Sequence, residues 1–296
     1  MSLLGRLARF SRQRRPSRQK IRAGRLIGAV LTRLGANPVI QVDAEDGVFL
    51  LDARSRTEAA KLWDGHYDAD DVAFLQAATP VDGVFLDIGA NVGLILVPLL
   101  THLGSHGRAI GVEPVAINFD RLTAVVDRNR PVATVDLRQV ALGSAAGTLQ
   151  LVKEGRGSST GNAIPSAASS GQAGTTVPVI TLDVLVAELA LNRLDAIKID
   201  VEGLEVDVFR GATNTLQRFR PVVYGEFNNQ LMPKLGVTFL DAWSLFEPLG
   251  YQCFSFRDRM HLVHRPVPSA MLGNVVLATP DRLDDLAHHG LIIDWS

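Results

Sequence analysis

Apolar positions in this chain cluster into short unbroken runs, each followed by a longer segment where they recur at helical spacing. Val84, Phe85, Leu86 and Ile88 make the clearest such run, and Arg108 to Val112, Val135 to Leu142, Val177 to Ile180, Leu194 to Ile199 and Pro221 to Glu226 read as further strands, some broken by single polar residues. Unbroken runs mark strands covered on both faces, and their alternation with helical segments predicts an α/β chain built on a largely parallel sheet. Helices are expected over Val115 to Asp127, Thr181 to Asn192, Leu204 to Phe219 and Phe239 to Leu249. Tyr251 to Phe256 and Asn274 to Ala278 form an expected antiparallel edge pair, and Ala146 to Val152 an added hairpin strand.

Upstream of this core, Val39 to Asp52 alternates around Asp46-Gly47 as a β-hairpin. A helix from Thr57 to Trp63 follows, and Asp70 or Asp71 is placed to cap a helix running through Ala78. His66 and Tyr67 stand between the two, open to a role near the chemistry or to plain surface packing. Glu154 to Thr176 is too poor in apolar residues to pack by itself and reads as a loop, either a lid or a simple insertion. The resulting division is a basic arm over residues 1–36, a hairpin and helical module over 37–80, the main domain over 81–280 and a tail over 281–296.

Composition adds limits. With 296 residues, 47% hydrophobic and 21% charged, there is apolar material for one large core. The single cysteine, Cys253, excludes an intrachain disulfide and a multi-cysteine zinc site, in keeping with a reducing, cytoplasmic location. The seven histidines form no pair at zinc-ligand spacing with a third ligand, so no metal site is assigned to them. The net charge of −1 hides an asymmetry: ten of the 30 Lys and Arg residues and none of the 31 acids lie in residues 1–42, leaving 20 bases against 31 acids elsewhere. The arm MSLLGRLARFSRQRRPSRQKIRAGR is open to three readings: a loosely ordered tail, an amphipathic segment peripheral to an acidic membrane, and a targeting peptide. Nucleic acid is disfavoured because no stacking aromatics are interleaved with the charge. No apolar run is long enough to span a bilayer, since Val84 to Leu100 contains Asp87 and Asn91.

That last segment, VFLDIGANVGLILVPLL, carries the candidate chemistry. A buried strand runs into a turn with Asp87 before it, Gly89 and Gly93 within it, and Asn91 between them. The glycines are expected where a ligand approaches the backbone, and the helix that follows is expected to offer its first amides to an anionic group. The spacing departs from the dinucleotide pattern G-x-G-x-x-G, because Asn91 stands where a pyrophosphate needs glycine. Further on, the second strand ends in Glu113, about 20 residues past the turn and at the distance of a ribose-binding acid. Glu113-Pro114 equally suits entry into a helix.

The Asp-x-Gly-x-x-x-Gly turn resembles motif I of S-adenosylmethionine-dependent methyltransferases. Together with the E-P-x-x-x-N stretch from Glu113 to Asn118, Thr181-Leu182-Asp183, and the block KIDVEGLE from Lys198 to Glu205, it makes the chain similar to the FkbM family of methyltransferases from Asp64 to Glu226. The resemblance implies a Rossmann-like, seven-stranded mixed sheet with helices on both faces, preceded here by the small N-terminal hairpin and helical extension. It implies S-adenosyl-L-methionine as cofactor and methyl transfer, most often to a hydroxyl oxygen, with a sugar, glycan or natural product as acceptor. Asp87, Gly89, Asn91 and Gly93 would then hold the methionine part of the cofactor. Glu113 would take both ribose hydroxyls with Asn118 in the same motif, and Val140, Ala141 and Leu142 would contact adenine.

Asp200, Glu202 and Glu226 fall at the carboxyl ends of strands, where ligands of open α/β sheets bind. One of Asp200 and Glu202 is expected to orient the acceptor hydroxyl and take its proton, with Glu226 in support. Two close carboxylates should raise one pKa. Alternatively, the three acids hold a divalent cation such as magnesium or calcium that acidifies the hydroxyl. Glu202 and Glu205 also have a plain helix-capping reading, and Lys198 that of neutralising the acids. Two other functions stay open: a non-catalytic cofactor-binding scaffold, which has no need of the second set of acids, and a nicotinamide-dependent reductase, which Asn91 serves poorly.

Overall fold

The computed structural model describes residues 7, 18–65, 68–153, 163–165, 174–266 and 274–295. His66, Tyr67 and most of the Glu154 to Thr176 loop lie outside the described residues. Helix α1 (Arg18–Arg33) comes first, then hairpin strands β1 (Val39–Ala44) and β2 (Gly47–Asp52) and helix α2 (Arg56–Asp64). Residues 18–33 of the basic arm are therefore helical. Helix α3 (Ala69–Ala78) leads into the core, where β3 (Val84–Ile88), β4 (Arg108–Val112) and β5 (Thr134–Arg138) are joined by α4 (Leu96–His102) and α5 (Ala116–Asn129). A side sheet of β6 (Ala141–Leu142), β7 (Gly147–Lys153), β8 (Ala163–Pro165) and β9 (Thr175–Ile180) follows. The chain then returns through α6 (Leu182–Glu188), β10 (Ala196–Ile199), α7 (Glu205–Arg210), α8 (Thr213–Phe219) and β11 (Val222–Glu226). It ends with α9 (Phe239–Phe246), β12 (Gln252–Asp258), β13 (His261–His264), β14 (Asn274–Ala278), α10 (Pro280–Ala287) and β15 (Ile292–Asp294).

The main sheet runs β15-β13-β12-β14-β11-β10-β3-β4-β5. From β5 to β11 the neighbours are parallel, and β14 enters antiparallel. The seven expected strands are all there. Two more, β13 and β15, extend the sheet past β12, so the β12 and β14 pair is internal rather than an edge. β15 and most of α10 come from residues 281–296. The order reverses between β3 and β10: β4 and β5 lie to one side, β11 to the other. This is the switch point at which open sheets leave a crevice.

Residues alternate between two apolar layers. Val84, Leu86 and Ile88 join Ile197, Ile199 and helices α6 to α9 on one face. Phe85 and Ala196 join Phe74 of α3, Leu99 of α4 and Leu283 of α10 on the other. With a period of two, Asp87 and Lys198 share the second face, next to each other across β3 and β10. The N-terminal hairpin is clamped to the core by Asn129 of α5, whose amide donates to Val48 O and accepts from Val48 N, both at 2.8 Å.

Two expected elements are divided. Leu204 to Phe219 forms two helices, because Gly211 sits where a Cβ would lie 2.1 Å from Gly143 O, and the chain must bend around that contact. Asp183 then caps the second piece, accepting from Asn214 N at 3.0 Å and Thr215 N at 2.8 Å. Thr181 caps α6 through Val184 N. The Thr181 to Asp183 motif thus holds helices. Val135 to Leu142 also splits: β5 ends at Arg138, and Ala141-Leu142 leaves the main sheet to pair with Val179-Ile180.

Gly211→Ala is expected to destabilise the protein by about 2–4 kcal/mol, because the clash is with main chain that has no rotamer to yield. Gly236→Ala, at a left-handed but open position with φ 75 and no atom within 4 Å, should cost only about 1 kcal/mol. Denaturant titrations of the two variants against the parent check the ordering.

Candidate active site

The carboxyl ends of β3, β4, β10 and β11 open into a cleft. Its described walls carry seven acids, Asp68, Asp71, Asp87, Glu113, Asp200, Glu202 and Glu226, and one cation, Lys198. Lys198 Nζ donates to Gly89 O at 3.1 Å and stands 3.4 Å from Asp87 Oδ1. Burial lowers its pKa, but the charges of Asp87, Asp200 and Glu113 outweigh this and hold it raised. Asp87 is wholly buried. Burial raises its pKa against the opposing pull of Lys198, and apart from that lysine no described donor reaches either of its oxygens.

Glu113 is tied to the turn itself. Its Oε2 accepts from Asn91 N at 2.9 Å, and its Oε1 from Val115 N at 2.9 Å and Asn118 Nδ2 at 3.4 Å. Burial nevertheless pushes its pKa up to about 7. A carboxylate offers about four acceptor positions, and these three bonds leave acceptor capacity toward the cleft.

The glycine turn serves the protein as much as any ligand. A Cβ on Gly89, at φ 78, would lie 2.0 Å from Asp200 O at the end of β10, and Gly89 also lines the cleft. Gly93, at φ 87, packs against Leu122 and Val97 and is not part of the cleft wall. Helix α4 starts only at Leu96 and has seven residues, so the expected anion site at its first amides does not form beside Gly89. Asn91, Asn118, Val140, Ala141 and Leu142 do line the cleft.

The three expected catalytic acids come together. Asp200 is half-buried in the cleft wall. Glu202, in a left-handed conformation at φ 54, accepts from Asn228 Nδ2 at 2.9 Å. Glu226 is open to solvent at the end of β11; the surrounding walls, then the Asp200 charge, raise its pKa. Glu205 lies apart, buried beneath the turn, where its Oε1 accepts from Gly203 N at 3.1 Å and Val201 N at 3.3 Å. It braces the loop that presents Asp200 and Glu202. Among the described residues no three His, Cys, Asp or Glu side chains converge as metal ligands, so the divalent-cation alternative gains no support from Asp200, Glu202 and Glu226.

One group of wall residues is absent from the expectations. Asp71, Tyr224 and Asn274 meet inside the cleft: Asn274 Nδ2 donates to Asp71 Oδ2 at 3.3 Å and to the Tyr224 hydroxyl, which is itself hydrogen-bonded to Asp71. Asp71 therefore does not cap α3; Asp68, at φ 42, occupies the cap position. Burial, then the nearby Asp68 charge, pushes Asp71 up to about 7. Burial and Asp71 together raise Tyr224, which stays protonated. The only local signal was the surplus of acids at Asp68, Asp70 and Asp71, more than one helix start requires.

Buried acids make stability depend on pH. Glu205 has a folded pKa of about 7, set chiefly by burial, against an unfolded value of about 4.3. A raised acid adds stability that is complete below the unfolded value and is lost as pH rises through the folded one. Glu205→Gln, which never ionises, should melt with the parent near pH 4 and several degrees above it at pH 8. Thermal melts across this range check the sign.

Residues 87–253 match the methyltransferase FkbM domain. Hexuronic acid methyltransferase AglP of Haloferax volcanii is 28% identical over 178 residues, which cover 57% of this chain and 66% of that protein, just under two thirds of its length. Among solved structures, the methyltransferase FkbM of Methylobacillus flagellatus aligns with a TM-score of 0.43 and 16% identity over 68% of this chain and 44% of its own. The O-methyltransferase of Bacillus cereus, in complex with SAH, aligns at 0.42 and 11% identity over 89% and 92%. The matched domain takes in more than half of the sequence and contains the glycine turn, Glu113 and the Lys198 to Glu205 block, and the chain belongs to the FkbM methyltransferase family.

Proposed function

We propose that this protein transfers the methyl group of S-adenosyl-L-methionine to a hydroxyl oxygen of a sugar, glycan or other natural product. The observation that carries this is Asp87: a buried carboxyl at the head of an acid-rich cleft, lacking a donor on either oxygen beyond the single lysine that faces it. The cofactor's ammonium is such a donor, and its sulfonium is a second positive charge suited to a cleft of this sign. Glu113 takes a ribose hydroxyl, and Val140, Ala141 and Leu142 form the apolar wall for adenine. A dinucleotide's pyrophosphate would bring negative charge to the same acids, which disfavours the reductase reading. A scaffold would bind cofactor without needing Asp200, Glu202 or Glu226.

When bound, the cofactor supplies an electrophilic methyl carbon on sulfur. The protein's work is to place an acceptor oxygen in line with that bond, keep water out and hold one proton. Glu202, steadied by Asn228, orients the acceptor hydroxyl. The raised pKa of Glu226 suits it to hold the proton, and Asp200 is one of the charges that raise it. Asp71, Tyr224 and Asn274 add a second wall of groups that bind hydroxyls. The Haloferax relative is a hexuronic acid methyltransferase; the hydroxyls of such a sugar suit this cleft, whereas its carboxylate does not.

Calorimetry should show saturable binding of S-adenosylmethionine and none of NADH, with Asp87→Ala weakening the former at least about tenfold. NADH binding alone would sink the methyltransferase reading, and absence of both would favour the scaffold. Asp200→Asn and Glu226→Gln should keep cofactor affinity within about twofold while slowing methyl transfer by about 10²–10⁴. Release of S-adenosylhomocysteine against a panel of sugars measures the latter, and unchanged turnover removes the assigned roles.

A further inference from the structure

Helix α1 is fastened along one face and bare along the other. On the inner face Gly24 lies against the Trp63 ring, where a Cβ would sit 2.4 Å from ring atoms, and Gly28 lies against Ala53, where it would sit 2.7 Å from the Ala53 Cβ. Arg25 Nε donates to Arg54 O at 3.2 Å. Main chain and module touch directly at the two glycines, so the fold fixes the rotation of this helix.

The outer face is apolar. Leu26 is 67% exposed, Ile27 41%, Val30 46% and Leu34, one residue past the helix, 77%. At 3.6 residues per turn these four fall within an arc of about 100°. Exposed Arg22 and Arg33 run along one edge of that stripe. They belong to a segment, residues 1–42, with ten bases and no acid.

We propose that this face docks on a membrane leaflet bearing anionic headgroups. The apolar stripe enters the boundary between headgroups and acyl chains, and Arg22 and Arg33 along its edge meet the phosphates. A second copy of the chain fits poorly, because a two-fold contact would set Arg22 and Arg33 against their own copies along the same stripe. Nucleic acid would leave the stripe in water. Among the described residues no helix is long and apolar enough to cross a membrane, so this is attachment at the surface. Helix α1 packs on α2, whose Thr57 lines the cleft, so the docking face and the cleft wall are joined through one helix pair.

Cosedimentation of the full-length protein with phosphatidylcholine vesicles, with and without phosphatidylglycerol, tests this. The protein should pellet with the anionic vesicles alone, and less at high salt. Leu26→Asp with Val30→Asp should lower binding at least about tenfold while circular dichroism and melting temperature stay unchanged, because both side chains face outward. Arg22→Gln with Arg33→Gln should weaken binding at low salt more than at high salt. The proposal falls if the parent stays in the supernatant, pellets equally with neutral vesicles, or is matched by the Leu26/Val30 variant. A concentration-dependent dimer in light scattering that this variant abolishes would assign the face to a second copy instead.

Discussion

An ammonium placed between two central strands of a sheet must be paired, or the strands cannot close around it. Lys198 meets that demand with Asp87, its register partner across β10 and β3, and with the carbonyl of Gly89. Much of the cleft follows from this arrangement. The lysine holds the first peptide of the glycine turn, and Gly89 in turn lets Asp200 O pack where a side chain would otherwise be. The loop after β3, with Asn91, and the loop after β10, with Asp200 and Glu202, are thereby set against each other at the switch point of the sheet. Because the lysine's direct contacts are to the main chain and Asp87, it reaches Asp200 and Glu226 only through its field.

The family motifs divide into residues that hold and residues that act. Thr181 and Asp183 cap helices, Glu205 braces a loop from below, and Glu113 ties the glycine turn to the start of α5 while still facing the cleft. Glu113 bridges the two roles: the carboxylate proposed to meet the ribose also accepts from Asn91 N, so the shape of the turn and the readiness of the ribose site are one property.

What the sequence made legible was local. Unbroken apolar runs located β3, β4, β10 and β11, and strand-end acids located Asp87, Glu113, Asp200 and Glu226, because burial on both faces and strand-end chemistry leave marks within a few residues. The helix break at Gly211 was hidden because its cause is the carbonyl of Gly143, far away in the chain. β13 and β15 were hidden because each is very short, three or four residues; they become strands by pairing with β12 and with each other. The Asp71, Tyr224 and Asn274 group joins three distant segments, so no spacing announces it. Gly89 holds a second role that no spacing shows: besides lining the cleft, it makes room for the carbonyl of Asp200.

The imbalance of charge in the cleft has a consequence for selection. With seven acids and one engaged lysine on its described walls, the cleft sorts molecules by sign before it sorts them by shape. An uncharged polyol of the kind proposed as acceptor would meet groups able to accept from its hydroxyls. A sugar acid would bring a carboxylate into a region already short of positive charge, and to stay there it would have to arrive with its own counterion.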